Sequence, residues 1–167
     1  MSDEVEIGRG KRGRRAYTLD DIALVPSRRT RDPEDVNVGW QIDAYHVDTP
    51  LMAAPMDSVM SPETAIAFGR LGGIGVLDLD GLWTRYEDPT PILDHIAHLG
   101  EEESIATLQR VYSEPIKPSL ITARLKQLRE AGVVVAGKLS PQRVQKHWRA
   151  VVDAGVDLLI IRGSTVS

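Results

Sequence analysis

Beyond residue 50 the chain alternates short apolar runs with amphipathic segments of helical length, and few folds accept that pattern. PLMAAP (50–55) is the first run. The segment after it carries start signals for a helix: Ser61 at the N-cap, Pro62 at the first helical position, and Glu63 where an acid suits the macrodipole. Ala65, Ile66, Phe68 and Leu71 supply its apolar face, and Gly72 and Gly73 end it. GIGVL (73–77) is a second run, too short to be a helix by itself. DLDGLWTRYEDPTP (78–91) reads as a loop, and PILDHIAHLG and ESIATLQRVY as two short helices. PSLITARLKQLREAG (118–132) is a clearer helix with Ile121, Leu125 and Leu128 on one face. Gly132 stops it and VVVAG follows as a third strand. In SPQRVQKHWRAVVDAG (140–155), Ser140 caps, Pro141 takes the first helical position, and Val144, Trp148, Val151 and Val152 share a face. Gly155 ends that helix and DLLIIRG is a fourth strand. Strands joined through helices in this order predict a parallel sheet with right-handed crossovers.

Two α/β architectures compete for that order. A doubly wound dinucleotide-binding sheet needs G-x-G-x-x-G after its first strand and before a helix. GGIG here follows a helix and precedes a strand, so Gly72, Gly73 and Gly75 read as a helix stop and close backbone approach, not as a phosphate loop. A (β/α)8 barrel usually runs to about 250 residues, and four strands amount to roughly half of one. The residues by themselves leave an open α/β domain or half a barrel. The chain stops at RGSTVS, directly after a strand, where a barrel begins a catalytic loop.

Ahead of the sheet, residues 17–50 read as an N-terminal cover: an extended YTLDDIALVP, a polar loop SRRTRDPEDVNV, then WQIDAYHVDTP. In the last, Trp40, Ile42, Ala44 and Val47 alternate as one half-buried antiparallel strand does. Residues 1–16 form a flexible basic arm containing GRGKRGRR. It has no aromatic residue for base stacking and no GK[ST] ending, so it reads as a solvated tail that a partner subunit orders, not as an RNA or phosphate site. Net charge is −4, which gives no global field for nucleic acid or acidic lipid. No apolar run approaches the roughly 20 residues of a membrane span, and the N-terminus lacks a signal-peptide core, so a cytoplasmic protein is expected. The chain has no cysteine, which removes disulfides, thiolate metal sites and a cysteine nucleophile from it. His95 and His98 lack a third ligand of suitable spacing and read as a surface pair.

TLDDIALVPSRRT (18–30), followed by TPLMAAPMDSVMSPETAIAFGRLGGIGVLDLDGLW (49–83), resembles the start of the IMP dehydrogenase/GMP reductase family. The D-D-x-x-L-x-P element, the A-x-M-D-S-V turn and the G-G-I-G strand stand in the family's order and spacing. AGVDLLII (154–161) resembles its fourth barrel strand. The resemblance covers residues 17–167 and is weakest in the middle. It implies a TIM (β/α)8 barrel, with about the first four strand–helix units in 51–167, usually assembled as a homotetramer. The interval 79–132 is too short for the CBS domain pair that most IMP dehydrogenases carry there. In this the chain is similar to GMP reductases and to the CBS-less IMP dehydrogenase-related branch, which SRRTRDPEDV, WQIDAY and SPQ also resemble.

The chemistry that the resemblance implies is hydride transfer between NAD or NADP and C2 of a purine nucleotide: IMP and XMP in a dehydrogenase, GMP in a reductase. In the family a cysteine thiolate attacks C2; water then hydrolyses the intermediate in the dehydrogenase, and ammonia leaves GMP in the reductase. That cysteine, its potassium-binding loop and the phosphate-binding glycines belong to later parts of the barrel. No catalytic residue is therefore expected in this chain, which would be inactive by itself. A GMP reductase using NADPH is the alternative, and a non-enzymatic module that completes a barrel with a partner is an alternative of another class. Carried over by motif, Ala54 and Met56 touch the nucleotide. Met56 offers the base a polarizable apolar surface, whereas Ala54 lacks the hydroxyl that a family serine provides. Asp57 fixes the turn or caps the backbone that follows. Arg162, Gly163 and Ser164 lie on the cofactor side. Arg162 stands where many members have an Asp contacting the nicotinamide ribose, and a guanidinium suits the 2′-phosphate of NADP instead. Asp78 replaces the lysine that reductases tend to have near the cofactor. Arg28 and Arg29 match a reductase loop that lines a neighbouring subunit's cofactor site, or else face solvent.

Overall fold

The computed structural model describes residues 4–25 and 32–163. The chain divides into two compact units, Met1–Asn37 and Val38–Ser167. In the first, β1 (Glu4–Glu6) and β2 (Arg12–Arg14) pair antiparallel, with Glu4 opposite Arg14. The basic arm, expected as an irregular tail, therefore carries a hairpin, although its strand residues other than Gly13 are exposed. YTLDDIALV is not extended throughout: Leu19–Asp21 form a single 3-10 turn, closed by the Asp21 carboxylate accepting from the amide and hydroxyl of Thr18, both at 2.9 Å.

The second unit opens with a correction to the sequence reading. WQIDAYHV is not one strand but a hairpin, β3 (Trp40–Ile42) with β4 (Tyr45–Val47), Trp40 opposite Val47. Asp43 enters the left-handed region at φ 48°, which a short polar side chain tolerates, and the chain reverses there. Then follow β5 (Met52–Ala53), α1 (Pro62–Arg70), β6 (Ile74–Asp78), α2 (Thr90–Ala97), α3 (Glu101–Val111), α4 (Pro118–Glu130), β7 (Ala136–Leu139), α5 (Pro141–Asp153) and β8 (Leu158–Ile161). The last four strands make one parallel sheet in the order β5-β6-β7-β8, each pairing with the strand before it in sequence. The fold is thus α/β with a parallel sheet, and the sheet is open.

Its two faces differ. Ala65 of α1, Ile121, Leu125 and Leu128 of α4, and Val151 of α5 bury themselves with Leu77, Leu79, Val135 and Leu139. On the opposite face Ile74, Val76 and Ala136 meet Val47 of the β3–β4 hairpin, with Ile42, Leu158 and Ile160 beside them and no helical residue. Among the described residues, α1, α4 and α5 therefore pack on one and the same face. Gly75 permits α1 to lie flat on β6: a Cβ there would stand 2.5 Å from the Ala65 Cα.

Two further expectations change. DLDGLW, expected as part of a loop, is more ordered than that: Leu82, Trp83 and Thr84 form a buried 3-10 turn, where the Thr84 hydroxyl donates to the Leu79 carbonyl at 2.9 Å. On α5 the buried face is His147 and Val151, while Trp148 and Val152 point outward, 45% and 56% exposed. The apolar residues of this helix spread wider than one face, and the histidine is buried with Val151. Burial, with Lys146 and Arg143 nearby, holds the His147 imidazole below its ordinary value.

At the N-terminal end of the strands Asp157 ties three elements together. Its Oδ1 accepts from the Tyr45 hydroxyl of β4 and from Arg129 of α4, both at 2.6 Å, and its Oδ2 accepts from the Val135 amide at 2.9 Å. Burial pushes this carboxyl up, but the Arg129 guanidinium, the Tyr45 hydroxyl and the amide outweigh it, and the net direction is below the ordinary 3.8. A carboxylate held down in the fold stabilises above its unfolded value and loses that contribution as pH falls through the folded one. Asp157→Ala is expected to cost about 2 kcal/mol at pH 7, discounted because Arg129 is half exposed, with the difference from wild type shrinking below pH 3.8. Urea melts at pH 7 and pH 3 check both; a difference that does not change with pH would contradict the assignment.

Candidate functional site

The C-terminal ends of the four parallel strands lie side by side, so the loops after them share one end of the sheet. β5 runs into Ala54–Asp57, β6 into Leu79–Gly81, β7 into Ser140, and β8 into Arg162 and Gly163. Ligands of parallel α/β sheets bind at this end.

Asp57 links the first two of these loops. Its Oδ2 accepts from the Leu82 amide at 2.7 Å and from the Tyr112 hydroxyl at 2.5 Å. The carboxylate rests against Gly81, where a Cβ would fall 2.0 Å from Oδ1. Oδ1 is itself buried without a hydrogen-bond partner, which fits its seat on the bare glycine backbone. Burial pushes the Tyr112 hydroxyl well above its ordinary 10, and the bond to Asp57 adds to the shift, so it stays a donor. Beside it Arg85, only 5% exposed, donates to the Asp80 carbonyl at 3.1 and 2.9 Å and to the Glu114 carbonyl, with its guanidinium 5.5 Å from the centre of the Tyr112 ring. Asp57 thus caps the backbone of the next strand's loop rather than its own turn.

A second cluster joins β6 to β7. The Lys138 ammonium lies 3.2 Å from Asp78 Oδ1, 3.4 Å from Asp78 Oδ2 and 3.2 Å from Asp80 Oδ2. Asp80 Oδ2 also accepts from the Ser140 amide at 2.8 Å, and Asp78 Oδ1 from the Asp80 amide at 2.9 Å. Burial pushes the Asp78 carboxyl above its ordinary value, and the Asp80 amide and Lys138 offset this only in part. Burial also pushes the Lys138 ammonium down, but Asp78 and Asp80 overcome it and the net direction is up. The lysine therefore stays charged, and for Asp78 burial outweighs what the ammonium returns to it.

In front of Lys138 opens a cleft of about 510 Å³, lined by Pro55, Lys138, Ser140, Pro141, Gln142, Arg162 and Gly163. Of the residues expected from sequence, Arg162 and Gly163 line it. Ala54 and Met56 sit at its edge of the sheet, flanking Pro55, but do not line it. Both are exposed, Met56 at 50%, so Met56 is not core. Arg28, Arg29 and Ser164 lie outside the described residues. Sequence reasoning missed Lys138, Asp80, Tyr112 and Gly81. One signal was present: a lysine inside the apolar run VVVAGKL needs a carboxylate, and DLD ends the neighbouring strand.

Among the described residues no helix is long and apolar enough to cross a membrane. The IMP dehydrogenase / GMP reductase domain matches the chain over residues 16–166. An uncharacterized oxidoreductase of Mycolicibacterium smegmatis is 43% identical over 168 residues, 98% of this chain and 45% of that protein. One of Mycobacterium leprae is 42% identical with the same coverage. An inosine-5′-monophosphate dehydrogenase of Methanocaldococcus jannaschii is 41% identical over 64 residues, 38% of this chain and 13% of that protein. The crystal structure of an IMP dehydrogenase/GMP reductase-like protein from Corynebacterium glutamicum superposes with a TM-score of 0.81 at 42% identity, over 99% of this chain and 46% of that one. The chain spans about half the length of the curated relatives it matches. On the match over residues 16–166, the chain belongs to the IMP dehydrogenase/GMP reductase family.

Proposed function

We propose that the protein is a purine-nucleotide oxidoreductase passing hydride between NAD or NADP and C2 of IMP, XMP or GMP. In this reading residues 51–167 form the first half of a (β/α)8 barrel, no CBS pair is inserted, and the whole protein is a homotetramer. The observation that carries it is the convergence of four post-strand loops, with a cleft among them, in a chain whose family match runs from residue 16 to 166. Sequential strand order with helices on one face supports the barrel over a doubly wound sheet, which places helices on both.

A bound nicotinamide cofactor would supply the hydride acceptor or donor. The cleft suits such a group in size and donors, with Arg162, Gly163, Lys138 and Ser140 to hold it. Met56, half exposed after β5, offers the purine a thioether surface, and Asp57 fixes its loop by holding the Leu82 amide. The chain has no cysteine, so a thiolate nucleophile and any potassium loop come from the rest of the protein. The residues present here bind and orient.

The test is turnover by the longest form of the protein that its gene encodes, followed at 340 nm with IMP plus NAD and with GMP plus NADPH. One pair is expected to react; silence with both would sink the oxidoreductase reading. Arg162 in the cleft favours the NADPH-using reductase, since a guanidinium matches a 2′-phosphate. The alternative of another class is a module that completes a barrel with a partner through the open edge of β8, where Ile161 is 57% exposed. The 167-residue chain is expected to associate heterogeneously through its unpaired edges. A single sharp dimer on size-exclusion chromatography would favour the module instead.

A further inference from the structure

Between β6 and α4 the chain makes an excursion whose burial is concentrated at its base. α2 has no buried residue, and α3 buries Val111 alone, in its last turn. The base is tied firmly. The Tyr86 hydroxyl donates to the Val111 carbonyl at 3.0 Å, Arg85 donates to the Glu114 carbonyl, and the Lys117 amide donates to the Thr84 carbonyl at 2.9 Å. Thr84, Arg85 and Tyr86 on the way out thus grip the segment on the way back. Tyr112, the C-cap of α3, lies inside that grip, yet its hydroxyl reaches across to Asp57 Oδ2 at 2.5 Å. At the other end of this bond is the loop after β5. Its backbone turns on Met56, whose carbonyl accepts from the Val59 and Met60 amides at 3.1 and 2.8 Å. Met60 is buried, whereas Met56, Ser58 and Val59 are exposed, and the side-chain hydrogen bonds of this loop are those of Asp57. With Oδ1 seated on Gly81, Oδ2 takes both donors, the Leu82 amide and the Tyr112 hydroxyl.

We propose that Tyr112 is a positioning residue for the nucleotide: through Asp57 it fixes how Met56 is presented, and it couples the base of the α2–α3 excursion to nucleotide binding. A hydrogen bond to an ionised carboxylate is among the stronger ones that side chains make, and Tyr112 supplies one of the two on Asp57. Without it the carboxylate hangs on a single amide and can swing about that bond, and Met56 is its direct neighbour in the chain. Coupling of this kind is reciprocal. If the Tyr112 bond tightens nucleotide binding, bound nucleotide tightens the base of the excursion by the same factor. That a nucleotide lies on Met56 rests on the function proposed above; the tie between Tyr112 and the loop does not.

Calorimetric titration with IMP, XMP and GMP, turnover, and NMR of labelled methionine methyls test this on the longest form of the protein that its gene encodes. Tyr112→Phe keeps the ring beside Arg85 and deletes only the hydroxyl. It is expected to weaken the best-bound nucleotide about tenfold and to raise KM with kcat held within about twofold. The Met56 methyl signal, assigned by its loss in Met56→Leu, should shift while that of Met52 in β5 stays. Tyr86→Phe is the control: it deletes another hydroxyl bond of the same base without touching Asp57, and affinity should stay within about twofold of wild type. Saturating nucleotide should slow amide exchange at Val111, Tyr112 and Ser113 in wild type and much less in Tyr112→Phe. Equal weakening by the two variants, no weakening by Tyr112→Phe, or an unmoved Met56 signal would each overturn the inference. If circular dichroism shows Tyr112→Phe unfolded, amide exchange in wild type decides, and no slowing by nucleotide sinks the idea. Wild type that binds none of the three nucleotides removes both this inference and the reading beneath it. Binding that depends on Tyr112 without turnover removes the oxidoreductase reading alone, and normal turnover with unchanged affinity in Tyr112→Phe removes this inference alone.

Discussion

Gly75→Ala is expected to lower stability by about 3 kcal/mol, at the upper end of what overpacking a core costs, and Gly75→Val by more. The added carbon would stand 2.5 Å from the Cα, 2.6 Å from the carbonyl oxygen and 2.8 Å from the Cβ of Ala65. Two of those atoms are helix backbone, so relief requires moving all of α1 away from β6. That movement would reopen the contact that keeps Ala65 at 1% exposure. Gly137→Ala makes the contrast: its Cβ would meet the Leu79 side chain at 2.6 Å, and a side chain can turn aside where a helix backbone cannot. Urea midpoints should therefore fall far more for Gly75→Ala than for Gly137→Ala. Equal losses would mean that α1 adjusts freely and that its close approach is not a constraint.

Gly81→Ala is the second large effect, and it acts on the loops. The new Cβ would fall 2.0 Å from Asp57 Oδ1 and 2.5 Å from its Cγ, so the carboxylate must leave its seat. It would then release the Leu82 amide and the Tyr112 hydroxyl, two hydrogen bonds to a charged acceptor. The loss expected is about 2–3 kcal/mol, and on the proposed function the KM for the purine nucleotide rises about tenfold, because Met56 precedes the displaced residue. A double-mutant cycle with Asp57→Ala separates clash from contact. With the carboxylate gone, alanine at 81 should cost little, so the two losses should fall well short of additive. Strict additivity would show that the two residues act independently.

The strand–helix order, the helix ends and the parallel sheet were legible because each is a local pattern: a Pro or Ser at a helix start, a glycine at its end, an apolar run of a few residues. The β3–β4 hairpin was not, because Asp43-Ala44 is a weak turn signal and the only other trace is a one-residue phase shift, from Trp40 and Ile42 to Tyr45 and Val47. The buried turn at Leu82–Thr84 was missed because its sequence neighbours are polar and the element that packs on it, α4, is distant in sequence; Arg124 Nε there donates to the Trp83 carbonyl at 3.0 Å. At the candidate site the family motif led to the Ala54–Asp57 loop and to Arg162, the residues carried by sequence-local signatures. Lys138 with Asp80 spans 58 residues and Tyr112 with Asp57 spans 55, and no single-chain periodicity reports pairings at that range.

The sequential order β5-β6-β7-β8 has a consequence for biosynthesis. Each strand pairs with the one made before it, so during translation every newly emerged strand finds its edge already waiting, and no strand waits for a distant partner. One exposed edge moves along with the growing chain while the other stays at β5. A ribosome stalled after any strand–helix unit would thus present the fixed edge of β5 and a fresh edge at the newest strand, and nascent chains released early should be recognised by chaperones at these two edges.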